Sequence, residues 1–146
     1  MRETCNEKYD AIFNLFTSFG YFEDDADNYK TIKAIHNSLT ETGFAVIDFM
    51  NVDYVVENLV ADEVKSVDGI DFHIKRYLKD GHIYKEIDFE DKGEKFHFTE
   101  KVQALRLEDF EKIMEEAGIY LLDIFGDYKL RKFFKTQSER LIMIFK

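Results

Sequence analysis

The chain has 146 residues, 45% of them hydrophobic and 16% aromatic, enough length and apolar content for one packed domain. Its formal charge of -10 opposes a phosphate backbone, and no basic stripe interleaves with aromatics, so nucleic acid is excluded as an expected partner. The single Cys5 precludes an internal disulfide or a cysteine-based zinc cluster, and no run of about 18 apolar residues or secretory leader is present. A cytoplasmic protein without a membrane partner is expected.

With no proline, repeat or linker-like tract, residues 1–146 read as a single unit. Residues 9–16, YDAIFNLF, are apolar at nearly every position, as in a parallel strand covered on both faces. The loop TSFGYFEDDADN leads into a helix over residues 28–39, where Tyr29, Ile32, Ile35 and Leu39 recur at helical spacing before Gly43. Residues 44–50, FAVIDFM, form a second continuous apolar run. Strand, helix and strand thus make a right-handed crossover, and the fold class is α/β.

A short helix is expected over residues 51–59. Thereafter the pattern alternates, the mark of an antiparallel sheet. With Asp80-Gly81 as a two-residue turn, Leu78 faces Ile83, Ile74 faces Ile87 and Phe72 faces Phe89. A second turn within residues 91–94 sets Phe89 opposite Phe96 and Ile87 opposite Phe98, giving a three-stranded meander within residues 64–106. A helix follows over residues 108–117, with Phe110, Ile113, Met114 and Ala117 on one face and Gly118 at its end. Residues 119–125 and 140–146 read as strands, the last too apolar for an exposed edge.

The segments YDAIFNLFTSFGYF, IHNSLTETGFAVIDFMN and LRLEDFEKIMEEAG, with FGDY followed by SERLIMIF, together resemble class I, Rossmann-like S-adenosylmethionine-dependent methyltransferases of the small-molecule type, from the fourth core strand onward. The resemblance covers nearly the whole chain and implies a partial sheet of the fourth to seventh strands. The last strand would be antiparallel and inserted between its neighbours, and the meander would be an inserted substrate cover. Absent from the sequence are the first three strands, the glycine-rich turn and the acidic residue for the ribose hydroxyls. A strand as apolar as 9–16 would also have an unpaired outer edge, a template for association. MRET resembles the loop entering the fourth strand, so Met1 reads as an internal methionine of a longer parent, and a truncated or split reading frame is the leading explanation.

Ligands of doubly wound sheets sit beyond the carboxyl ends of the parallel strands, which places Asn14, Leu15, Phe16, Thr17 and Ser18 at the mouth of a site. The resemblance implies that Asn14, Leu15, Phe16 and Thr17 contact the cofactor S-adenosylmethionine, and that Ser18, Phe19 and Tyr21 contact a small-molecule substrate. A second reading makes Phe16, Phe19, Tyr21 and Phe22 caps on the sheet. The meander register sets Arg76 opposite Lys85 and Lys85 opposite Glu100, a charged row on an apolar face; it is either a substrate site or an ion cluster at a solvated lip. The opposite face, with His73, Tyr77, Tyr84 and His97, reads as solvated surface.

Asp48 is the acidic residue best placed for general-base work, against a buried structural role. His36 lacks a second ligand at i+4 and His82 falls in a hairpin turn, so no metal site is expected, and no catalytic triad or P-loop is present. Two functions follow as expectations. One is S-adenosylmethionine-dependent methyl transfer to a small molecule, as the C-terminal part of an enzyme whose glycine-rich cofactor half lies in a longer parent or a separate chain. The alternative is a non-catalytic binding module that forms a homodimer through the open strand 9–16.

Overall fold

In the computed structural model, which describes residues 7–22 and 24–146, strand β1 (Tyr9–Asn14) leads through helix α1 (Asp25–Asn37) to strand β2 (Leu39–Met50), parallel to it. Cys5 and the MRET segment lie outside the described residues. A short helix α2 (Val52–Glu57) precedes four strands, β3 (Asp62–Val67), β4 (Ile70–Lys79), β5 (His82–Asp91) and β6 (Glu94–Gln103). Helix α3 (Leu107–Ala117) and strands β7 (Leu121–Phe125) and β8 (Arg140–Phe145) complete the order.

The described strands form two sheets, ordered β1-β2-β8-β7 and β3-β4-β5-β6. In the first, β8 lies between β2 and β7 and runs antiparallel to both. Its sequence explains the central place: Leu141, Met143 and Phe145 are at most 1% exposed. They share a core with Ala45, Ile47 and Phe49 of β2, Ile32 and Ile35 of α1, and Phe110 and Met114 of α3. Both helices end as local chemistry directs. Asp24 caps α1 through the Ala26 amide at 2.9 Å, and Gly118 closes α3 in the left-handed region.

β1 departs from the expectation of a strand covered on both faces. Phe13 is 59% exposed and packs edge-on against Phe44 with ring centroids 6.1 Å apart, while Ile12 packs on the core. Among the described residues β1 pairs with β2 alone, so its apolar outer side is an edge. The strand also stops at Asn14 instead of residue 16, because Phe16 and Thr17 turn into left-handed conformations.

The second sheet has four strands, one more than the alternation suggested. The register Leu78↔Ile83, Ile74↔Ile87, Phe89↔Phe96 and Ile87↔Phe98 is as expected, and the Phe72 and Phe89 rings lie 4.8 Å apart. The additional β3, DEVKSV, is mostly charged or polar and pairs with β4 from Asp62↔Lys75 to Val67↔Ile70. Its signal is the turn, Asp68-Gly69, of the same type as Asp80-Gly81. In Asp68-Gly69, Asp80-Gly81 and Lys92-Gly93 both residues have positive φ, the turn geometry whose twist matches antiparallel strands.

Two outcomes follow from this packing. Leu141→Ala, which empties the centre of the main core, should lower unfolding free energy by about 3 kcal/mol in urea titration. Gly81 has φ +70 and open space where a Cβ would stand. Gly81→Ala should therefore cost about 1 kcal/mol by conformation alone, with the far-ultraviolet circular dichroism unchanged.

Candidate functional site at the strand ends

The carboxyl ends of the parallel pair β1 and β2 converge on Asp48, which is 1% exposed. A carboxylate so deep requires partners, and four groups provide them. The Phe16 amide donates to Oδ2 at 2.8 Å and the Tyr128 hydroxyl donates to the same oxygen at 3.0 Å. Arg140 Nε donates to Oδ1 at 2.8 Å, and its Nη2 lies 2.8 Å from that oxygen. The Thr17 amide donates to the Asp48 carbonyl at 3.0 Å, and Arg140 Nη2 donates to Thr17 Oγ1 at 2.9 Å. The turn is thereby held from its backbone and from a side chain.

That restraint matters because Phe16 and Thr17 have φ of 59 and 55, positions that cost about 1 kcal/mol or more each for residues with a Cβ. The consequence is geometric. Phe16 is turned outward to 77% exposure, Leu15 is 38% exposed, and Asn14 is buried, accepting from the Ser18 hydroxyl at 2.9 Å. The Tyr128 ring stands 6.4 Å from Phe16 between centroids, with the Arg140 guanidinium 5.8 Å from its own centroid. Burial, and then the bond to Asp48, raise the Tyr128 phenol above its ordinary range.

The expected site residues divide into two groups. Asn14, Leu15, Phe16, Thr17 and Ser18 stand together on the turn, as their positions at a strand end require. Phe19 does not face outward: it is fully buried, 5.5 Å from the Phe110 ring and 6.3 Å from Phe22, because the apolar run re-enters the core after the turn. Phe19 thus stands in the core, apart from the outward-facing residues of the turn. Tyr21 is 53% exposed, and its phenol is raised first by burial and second by the charge of Glu100. Gly20 ties this segment to the second sheet, its carbonyl accepting from the Gln103 amide at 2.8 Å. At φ +84 a Cβ there would press on Phe49 and Val102 at 3.2 Å.

Arg76, Lys85 and Glu100 form the row anticipated, with Arg76↔Lys85 and Lys85↔Glu100 as cross-strand neighbours. Each cation has a carboxylate. Arg76 pairs with Glu63 of β3 at 2.7 Å, which holds the Glu63 carboxyl below its ordinary range, and Lys85 pairs with Glu100 at 3.3 Å. Sequence reasoning missed Glu63 along with its strand. On the reverse face Tyr77 and Tyr84 stack 5.1 Å apart, and His97 bonds to Asp88 at 2.7 Å. Sequence reasoning also gave no role to Tyr128 and Arg140; a charged residue opening an apolar strand was the one available signal for Arg140. Among the described residues no group of three or more His, Cys, Asp or Glu could hold a metal ion. No described helix is long and apolar enough to cross a membrane.

No protein-family model matches the sequence. The chain is 27% identical over 124 residues to a glycine/sarcosine/dimethylglycine N-methyltransferase of Actinopolyspora halophila, an alignment covering 84% of this chain and 21% of that protein. It is 25% identical over 126 residues to a glycine/sarcosine N-methyltransferase of Halorhodospira halochloris, covering 84% and 45%. Among solved structures, an S-adenosylmethionine-dependent methyltransferase from Clostridium acetobutylicum superposes with TM-score 0.84 at 25% identity, over 98% of this chain and 60% of that one. A methyltransferase from Streptomyces caelestis gives 0.81 at 11% identity, over 97% and 58%. The chain thus spans between a fifth and three fifths of the length of these relatives. With β8 antiparallel between β2 and β7, a parallel β1-β2 pair and the superposition on these structures, the chain carries the α/β fold of the C-terminal portion of a class I, Rossmann-like S-adenosylmethionine-dependent methyltransferase.

Proposed function

We propose that this chain serves S-adenosylmethionine-dependent methyl transfer to a small molecule, as the part of the enzyme that complements a glycine-rich cofactor-binding half. The observation that carries this reading is the turn of residues 14–18, pinned by Asp48 at the carboxyl ends of the parallel strands, where doubly wound sheets bind ligands. The fit to the cofactor is partial. The chain offers backbone and an exposed aromatic wall at Asn14, Leu15, Phe16 and Thr17, suited to the methionine end; its 146 residues contain no glycine-rich turn for the nucleoside end. The bound donor supplies an activated methyl on a sulfonium, so the protein's own task is alignment and exclusion of water.

The two curated relatives are named for glycine and sarcosine N-methylation, which supports a small amine as acceptor. Its nitrogen lone pair would attack the methyl carbon as the carbon-sulfur bond breaks, and the new ammonium would release its proton to water. Ser18, Tyr21, Arg76, Lys85 and Glu100 would line the acceptor side, with the second sheet as its cover. A cytoplasmic setting accords with this chemistry.

A second reading, self-association through the open strand, is favoured by the apolar edge at β1, where Phe13 and Tyr9 are 59% and 39% exposed. Calorimetric titration with S-adenosylmethionine, with light scattering on the same preparation, tests both. Methyl transfer dependent on a second half predicts no micromolar binding by the chain alone, and a dimer or larger species supports the open edge. Micromolar binding would overturn the need for the second half. On the acceptor side, Glu100→Gln should lower the titration midpoint of Tyr21 toward about 10 without reaching it, since burial remains, as followed by carbon-13 NMR of the ring.

A further inference from the structure

The Asp48 carboxylate does more than fill a buried polar position. For stability alone a buried ion pair contributes little, since removal of two charges from water offsets their attraction. Nor is it needed for strand register: Asp48↔Ile142 and Met50↔Arg140 are already set by the backbone ladder between β2 and β8. What the side chains add lies outside that ladder. Oδ2 receives the Phe16 amide, and Arg140 Nη2 reaches past Asp48 to Thr17 Oγ1. These are the two consecutive residues with left-handed backbone. Oδ2 accepts from two donors, and Oδ1 accepts from Arg140 Nε with Nη2 of the same guanidinium 2.8 Å away, so both carboxylate oxygens are already engaged by the protein's own groups.

We propose that Asp48 and Arg140 are positioning residues, which act through Phe16 and Thr17 to fix the strand-end turn in its left-handed form and so set the wall that a donor and acceptor meet. This rests on the methyl-transfer reading for the purpose of the turn, but not for its geometry. The two strained residues lack the glycine that would tolerate such φ values unaided, and the clasp supplies the restraint instead. Tyr128 closes the arrangement from the loop before β8, its hydroxyl on the same oxygen as the Phe16 amide. Three separated segments, residues 16–17, 48 and 128–140, therefore meet in one charge-assisted network.

The test uses the 146-residue chain and NMR observables that need no donor. Asp48→Asn should speed amide hydrogen exchange at Phe16 and Thr17 by about 10- to 100-fold, the factor expected for losing a bond to a charged group. It should also move their backbone scalar couplings away from left-handed values, while exchange in β8 changes by less than about 3-fold. Arg140→Gln should have the same local effect, and Arg140→Lys should restore part of it, because an ammonium keeps the charge and loses the fork. Leu141→Ala serves as the control for general destabilisation, speeding exchange across β2 and β8 alike. The proposal is overturned if Asp48→Asn leaves Phe16 and Thr17 unchanged, or speeds the whole sheet by one common factor as Leu141→Ala does. If Asp48→Asn fails to fold, the Arg140 pair decides by the same criteria. Donor binding by the chain alone bears only on the need for a second half, and it leaves these exchange results to judge the clasp by themselves.

Discussion

A carboxylate at 1% exposure at the strand ends of a hydrophobic sheet sets the terms for the segments around it. Asp48 can lie there only because Arg140, Tyr128 and the Phe16 amide converge on it. Each partner is delivered by a different element: Phe16 by the end of β1, Arg140 by the start of β8, Tyr128 by the loop between β7 and β8. Satisfying one buried charge thereby joins the parallel crossover to the antiparallel end of the chain, at the edge where such sheets take ligands.

The second sheet is attached close to the same place. Ile83 and Val102 belong to the core that contains Phe19, Phe49 and Phe110, and Gly20 bonds to the first residue beyond Val102. The apolar end of the meander is thus an extension of the main core, whereas its charged row stands farther along the same face. Cross-strand pairing of every cation there with a carboxylate explains how Arg and Lys sit beside each other among Ile and Phe. With Glu63 included the row is neutral as a whole, and the charge of Glu100 reaches Tyr21 of the strand-end segment.

The opposite side of the first sheet has a different character. Phe13 and Phe44 pack edge-on yet both remain exposed, and β1 has an unpaired outer side among the described residues. The proteins that this chain matches are considerably longer. Apolar side chains at an open edge favour a covering surface.

Much of the fold was legible because its signals are local. Continuous apolar runs marked β2 and β8, helical spacing marked α1 and α3, and Asp80-Gly81 with the second turn within residues 91–94 fixed a register that placed Arg76, Lys85 and Glu100 in one row. Local pattern failed where the chain departs from a regular period. β3 is too polar to alternate visibly, and Phe16 and Phe19 look alike in sequence although one is 77% exposed and the other fully buried. The left-handed turn between them decides that difference, and it is stabilised by Asp48, 32 residues away from Phe16. Arg140 is 92 residues from Asp48. The sequence by itself determined the elements other than β3, the α/β class and the position of the strand-end segment, since these arise from periodicities of a few residues. Only the tertiary structure decided which side chains complete the site, because a buried charge is satisfied by whatever partners the folded chain brings within about 3 Å, irrespective of their separation in sequence.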